Sequence, residues 1–123
     1  MKHLLWVGSS KRDLMEMPND VIDDFGYGLY QAQMGKHPDS GKTLTGFGGA
    51  SVVELVEDHR GDTFRAVYTV KFADAIIVLH AFQKKSKKGK ETPKKEMDLV
   101  HQGSNWSKRV YKEWKRQGGK NNG

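Results

Sequence analysis

Cysteine is absent from the 123 residues, proline occurs three times, and no apolar run comes near the ~18 residues that a membrane-spanning helix needs. The missing thiols exclude a disulfide framework, a CxxC redox pair, an iron–sulfur centre and a cysteine-based zinc knuckle, and they fit a reducing cytoplasm. The opening segment, MKHLLWVGSSKRD, reaches polar and charged residues too soon for a signal-peptide core. These absences lead us to expect a soluble, untargeted, cytoplasmic protein with no membrane partner. The five histidines, at positions 3, 37, 59, 80 and 101, show neither HxxxH nor HExxH spacing, so neither a metal site nor a cofactor is expected.

Acidic residues are scarce in the last third. Residues 84–123 carry thirteen basic and four acidic side chains, net +9, whereas residues 1–83 carry eight and eleven, net −3. A segment so charged attracts polyanions, and each phosphate it neutralises releases counterions, so nucleic-acid affinity should fall steeply with salt. A merely solvated lysine-rich tail is the alternative.

The pattern of the chain predicts an α+β domain. HLLWV at 3–7 reads as a buried first strand. Ser10, with Asp13 three residues on, opens a helix of about two turns that stops before Pro18. Asn19 then caps a second helix with Val21, Ile22, Phe25 and Leu29 on one stripe. Residues 35–49, with five glycines and a proline, read as a long loop. Three runs follow, roughly 50–57, 63–72 and 75–83, whose short connections predict an antiparallel meander. In the middle run Phe64, Ala66, Tyr68, Val70 and Phe72 alternate with Arg65, Val67, Thr69 and Lys71. Thr92-Pro93 opens a helix that Gly103 should break, and a last helix carries Trp106, Val110 and Trp114 on one stripe, with packing on the domain or a partner surface as its two uses. We expect one domain over 1–117 and a flexible tail over 118–123.

Several residues carry chemistry. GKT at 41–43 lacks the first glycine of a phosphate loop, because position 36 is Lys36, and it neither leaves a strand nor enters a helix. His80 lies in the apolar run IIVLHAF, where it is either a hydrogen-bonded sheet histidine or a proton shuttle beside the lysines. Arg65 sits mid-strand, one strand from Lys84 and Lys85; it can hold a phosphate through two parallel hydrogen bonds or form a salt bridge with Glu54 or Glu57.

The segments LTG at 44–46, VEL at 53–55, FRAVY at 64–68, LHAFQKK at 79–85 and Thr92-Pro93 followed by Glu96 resemble, in order and spacing, the RelE/HigB-type toxins of bacterial toxin–antitoxin systems, above all their phage-associated branch. The resemblance runs from about residue 4 to about residue 114. It implies a small fold with a curved, mainly antiparallel sheet, two N-terminal helices on one side, and one or more C-terminal helices. It also implies a metal-independent endoribonuclease that cleaves mRNA, usually on the ribosome, and is silenced by a cognate antitoxin with a helix-turn-helix DNA-binding domain. The family's phosphate-clamping arginine falls on Arg65 and its basic pair on Lys84 and Lys85, with Lys71, Lys87, Lys88, Lys90, Lys94 and Lys95 as RNA-binding cations. His80, Lys87, His101 and Tyr111 are the candidates for acid or base. Relatives on the same fold poison gyrase instead of cutting RNA, so a non-catalytic ParE-like protein or a basic nucleic-acid-binding module is the alternative function.

Overall fold

Val, Ile, Phe and Tyr dominate three runs of the chain, and in the computed structural model these become the longest strands of a five-stranded sheet. Residues 1–49, 51–84 and 92–119 are described. In chain order the elements are β1 (His3–Trp6), α1 (Ser10–Met15), α2 (Asn19–Gln33), β2 (Gly41–Thr43), β3 (Val52–His59), β4 (Asp62–Phe72), β5 (Ala75–Lys84) and α3 (Lys94–Arg116). The sheet order is β1-β5-β4-β3-β2, with β1 parallel to β5 and every other pair antiparallel. The expected meander is therefore present, and β1 joins it through the crossover formed by the N-terminal helices.

Both faces of the sheet are covered. Leu14 of α1 and Val21, Phe25, Leu29 and Ala32 of α2 bury one face with Val53, Leu55, Phe64, Ala66 and Tyr68. On the other face α3 packs Val100, Val110 and Trp114 against Val67, Ile77, Leu79 and Phe82. The β3–β4 hairpin turns on Arg60 and Gly61, both at positive φ, the conformation that a tight two-residue turn between right-twisted strands demands.

The structure corrects five readings of the sequence. Asn19 does not cap α2: it is the first residue of that helix, and Pro18 stands at the cap position. Ser10 is not a helix cap: it is the first residue of α1, buried, with its hydroxyl 3.3 Å from the Val78 carbonyl, while Ser9 precedes the helix and donates to Asp13. The expected loop 35–49 contains edge strand β2, because Gly41–Thr43 extends alongside Val53–Leu55. Phe72 does not continue the face of Phe64 and Tyr68, since the β4–β5 register shifts between Thr69 and Phe72 and turns its ring onto Tyr111. Gly103 does not break a helix. It lies inside the continuous α3, where a Cβ would stand 2.6 Å from the Leu79 carbonyl oxygen, so its missing side chain is what lets α3 reach β5. Most of the expected tail, residues 120–123, lies outside the described residues. Among the described residues no helix is long and apolar enough to cross a membrane.

Candidate functional site

Polar residues on the α3 side of the sheet collect at the end where that helix begins. Glu54 of β3 is fully buried, although it stands in the apolar run VVELV. Its carboxylate is held by Arg65 of β4, 5% exposed, whose Nη1 donates to Oε1 at 2.6 Å. Thr92, just ahead of α3, closes the triangle: its hydroxyl donates to Glu54 Oε2 at 2.7 Å and lies 3.3 Å from Arg65 Nη1. Of the two ion-pair partners weighed from the sequence, Glu54 is the one engaged. Glu57 pairs with Phe64, whose side chain faces α1 and α2, and there Glu57 meets Asp24. Burial and that neighbouring carboxylate raise the Glu57 pKa.

His80 reaches the same face through a β-bulge. Val67 stands opposite His80, but Tyr68 stands opposite Val78, so Leu79 is an extra residue in β5. Without it the strict alternation from Ile76 and Val78 would carry His80 to the other side of the sheet. With it, His80 stacks on Phe82 at 4.9 Å and its Nε2 lies 3.3 Å from Oε1 of Glu96 in the first turn of α3. Lys84, opposite Thr63 and also buried, ends β5 on this side. The α3 side of the sheet thus holds a guanidinium, an ammonium, an imidazole and two carboxylates, with Arg65, Glu54 and Lys84 buried.

The remaining candidates are dispersed. Lys71 lies six residues along β4 from Arg65, about 20 Å at the usual strand rise. Its ammonium sits over the Phe72 ring, and burial, then the charge of Lys108, lower its pKa. Tyr111 is at the same distant end, where its hydroxyl donates to Asp74 Oδ1 at 2.6 Å and Lys115 donates to Oδ2 at 2.9 Å. Those two hydrogen bonds hold the Asp74 carboxyl below its ordinary range and raise the pKa of both donors. His101 stacks on Phe47 at 4.2 Å. Lys94 and Lys95 are exposed on the first turn of α3, Lys94 facing Asp98. Lys85, Lys87, Lys88 and Lys90 lie outside the described residues.

Sequence reasoning missed Glu96 as the partner of His80 and read Thr92 only as the opening of a helix, whereas it bridges Glu54 and Arg65. A usable signal for Glu54 was present: a carboxylate alternating with core residues must find a cation, because a lone buried charge is too costly to keep. It also missed a cleft of about 390 Å³ beside His80, bounded by the β1–α1 turn and α3.

Five chains of solved structures match this fold. One is the crystal structure of the toxin–antitoxin complex RelBE2 from Mycobacterium tuberculosis, at 16% sequence identity and a TM-score of 0.45, covering 69% of this chain and 93% of that one. No curated protein matches the chain. The family model described as Phage derived protein Gp49-like (DUF891) matches residues 12–104, a span that contains α2, the whole of β2 to β5 and the ionic site under α3. The phage-associated resemblance is borne out at this level: the chain belongs to the Gp49-like family of phage-derived proteins.

Proposed function

We propose that this protein is the toxin of a toxin–antitoxin pair and acts as an endoribonuclease on mRNA, without a metal, at the surface formed by Arg65, Lys84 and His80. The observation that carries the reading is the convergence of guanidinium, ammonium and imidazole on one face, where β5 runs into a tract with seven lysines between 84 and 95. Cutting RNA through its own 2′-hydroxyl requires three things: a proton leaves that hydroxyl, the pentavalent phosphate gains a stabilised negative charge, and the 5′-oxygen gains a proton. Arg65 and Lys84, with Lys85, supply the charge stabilisation, usually the largest contribution. His80 lies on the same face as the proton carrier of this scheme, with Glu96 orienting the ring. Glu54 orients Arg65, and the Thr92 hydroxyl must give way for the guanidinium to meet a phosphate.

The lysine tract supports mRNA, alone or on the ribosome, as the partner. The name RelBE2 complex describes a toxin with its antitoxin, and a cognate antitoxin, with a helix-turn-helix domain, is the partner proposed for this chain. One observation favours the non-catalytic alternative: Arg65 is nearly inaccessible and neutralised by Glu54, as in a structural ion pair.

The test is controlled expression of the parent chain beside Arg65→Lys, which keeps a cation for Glu54 but loses the fork, with growth and new RNA 5′ ends followed together. Growth arrest with RNA ends that persist in EDTA-treated reactions of the purified chain, and that fall at least tenfold in Arg65→Lys, is expected. Arrest without cuts would move the reading to a gyrase poison, and a soluble, folded chain causing neither would leave a binding module.

A further inference from the structure

β1 ends at Trp6, opposite Val78, so β5 from Leu79 onward lies beyond the reach of its parallel neighbour. The gap is the cleft of about 390 Å³, with Leu79 and His80 as its floor, Ser9 and Asp13 on one wall, and Leu99, Gln102 and Trp106 of α3 on the other. Its size is that of a site for one small planar ligand and is near the lower end of the ~300–1,000 Å³ range for small-molecule pockets. His80 belongs both to this cleft and to the ionic face, so whatever fills the cleft sits beside a residue of the proposed catalytic face.

Two features of the lining stand out. Trp106 is half exposed and Leu99 38% exposed, so two large apolar side chains line the open cleft; the Arg109 guanidinium lies 5.7 Å from the Trp106 ring. Aromatic and guanidinium groups of this kind are platforms for unstacked bases. Asp13 is the second feature. Ser9 donates to its Oδ2 at 2.7 Å, which fixes the carboxylate, while the nearest cation to Oδ1, the Arg12 side chain, is 4.0 Å away. A fixed carboxylate accepts hydrogen bonds and donates none. Guanine offers two adjacent N–H donors, N1 and N2, on its Watson–Crick edge. Adenine, cytosine and uracil each set a donor beside an acceptor, which a carboxylate repels.

We propose that this cleft is the base-recognition subsite of the protein, stacking one unpaired nucleobase on Trp106 and selecting guanine through Asp13. The Gln102 amide, on the α3 wall with Trp106, is a donor available to guanine O6. The assignment deepens the nuclease reading and rests on it for the identity of the polymer, but it is tested separately by binding.

The full chain is titrated with 2′-O-methyl oligonucleotides, UUGUU against UUAUU, which cannot be cut through the 2′-oxygen, following tryptophan emission and, independently, fluorescence polarisation of end-labelled RNA. The expected result is at least tenfold tighter binding of UUGUU; Asp13→Asn erases that preference, and Trp106→Ala weakens both oligonucleotides tenfold or more. Trp106→Phe should restore most of the affinity, and melting curves confirm that each variant is folded. Equal affinity for the two oligonucleotides, or a preference that survives Asp13→Asn, overturns the proposal. So does a cleft that ignores both RNAs and responds only to an apolar protein partner. Mapped cuts in cellular RNA separate the two failures: cutting without guanine preference sinks the subsite and leaves the nuclease, whereas selective binding without cutting sinks the nuclease and leaves the subsite.

Discussion

At the scale of single residues, Arg65 and Glu54 form a buried ion pair on which the fold depends and on which the proposed chemistry would draw. Their charges are almost completely removed from water, and the gain from pairing them is offset by the cost of desolvating both. Removing one partner is another matter. Arg65→Ala strands a buried carboxylate and should cost about 3–5 kcal/mol. Replacing both, as Glu54→Leu with Arg65→Met, should recover most of that loss, because an apolar pair of similar volume needs no counter-charge. Urea titrations of the parent, the two single variants and the double variant measure the cycle; a small effect of Arg65→Ala would mean that water reaches Glu54. The same reasoning makes Arg65→Ala a poor test of catalysis, since lost folding and lost activity would coincide, and Arg65→Lys is the sharper tool.

At the scale of elements, α3 is held at three points along its length. Thr92 and Glu96 anchor its start to Glu54 and His80, Gly103 fits it against β5, and the Asp74 clamp holds its last turns to the β4–β5 turn. Gly103→Ala should gain roughly 1 kcal/mol of helix propensity, yet the new methyl would meet the Leu79 backbone. Overpacking of this kind costs ~1–3 kcal/mol, so the variant should be less stable than the parent in denaturant titrations. The Asp74 clamp predicts a pH dependence. A carboxyl whose folded pKa lies below its unfolded value of about 3.9 stabilises the protein above that value and loses the contribution as pH falls through the folded pKa. The donors shift the other way: with raised folded pKa values, Tyr111 and Lys115 contribute fully below their unfolded values of about 10 and 10.4 and lose that contribution as pH rises through the folded ones. Amide exchange of the last turns of α3 should therefore accelerate at both extremes, and Asp74→Asn should remove the acid limb; an acid limb unchanged in that variant would place its origin elsewhere.

These elements also show why part of the fold was legible beforehand. The strands of the meander declare themselves by β-branched runs with short turns, and α2 by its stripe from Val21 to Leu29, all of which are local signals. Gly103 is a long-range fact: whether a glycine ends a helix or lets it approach depends on Leu79, twenty-four residues earlier, and no local rule contains that contact. The bulge at Leu79 is of the same kind. Strict alternation would have put His80 under α1 and α2, and only the observed register brings it to Glu96 and the cleft. Arg65, Lys84 and His80 could thus be nominated from sequence, with Glu54 as one of two partners for Arg65, but Thr92 and Glu96 could not.

At the scale of the whole molecule, charge is divided along the chain, with net −3 over residues 1–83 and net +9 over residues 84–123. The acidic part includes the solvent side of α2, where Asp20, Asp23 and Asp24 lie across the sheet from α3. A polyanion approaching at random is therefore steered to the α3 face before any short-range contact forms. If the lysines between 84 and 95 meet RNA phosphates, the logarithm of affinity should fall linearly with the logarithm of salt, by ~0.7 per phosphate engaged on a single strand. Substituting Lys85 and Lys88 together by Gln should lower that slope by about 1.4 and weaken all RNA sequences alike. Asp13→Asn should do the reverse, leaving the slope unchanged and altering only the ranking of sequences. Filter binding of UUGUU and UUAUU between low and near-physiological salt separates the two effects. A flat salt dependence would remove the lysine tract from the interface, and a change in base preference on losing Lys85 and Lys88 would show that charge and base recognition are not divided between tract and cleft.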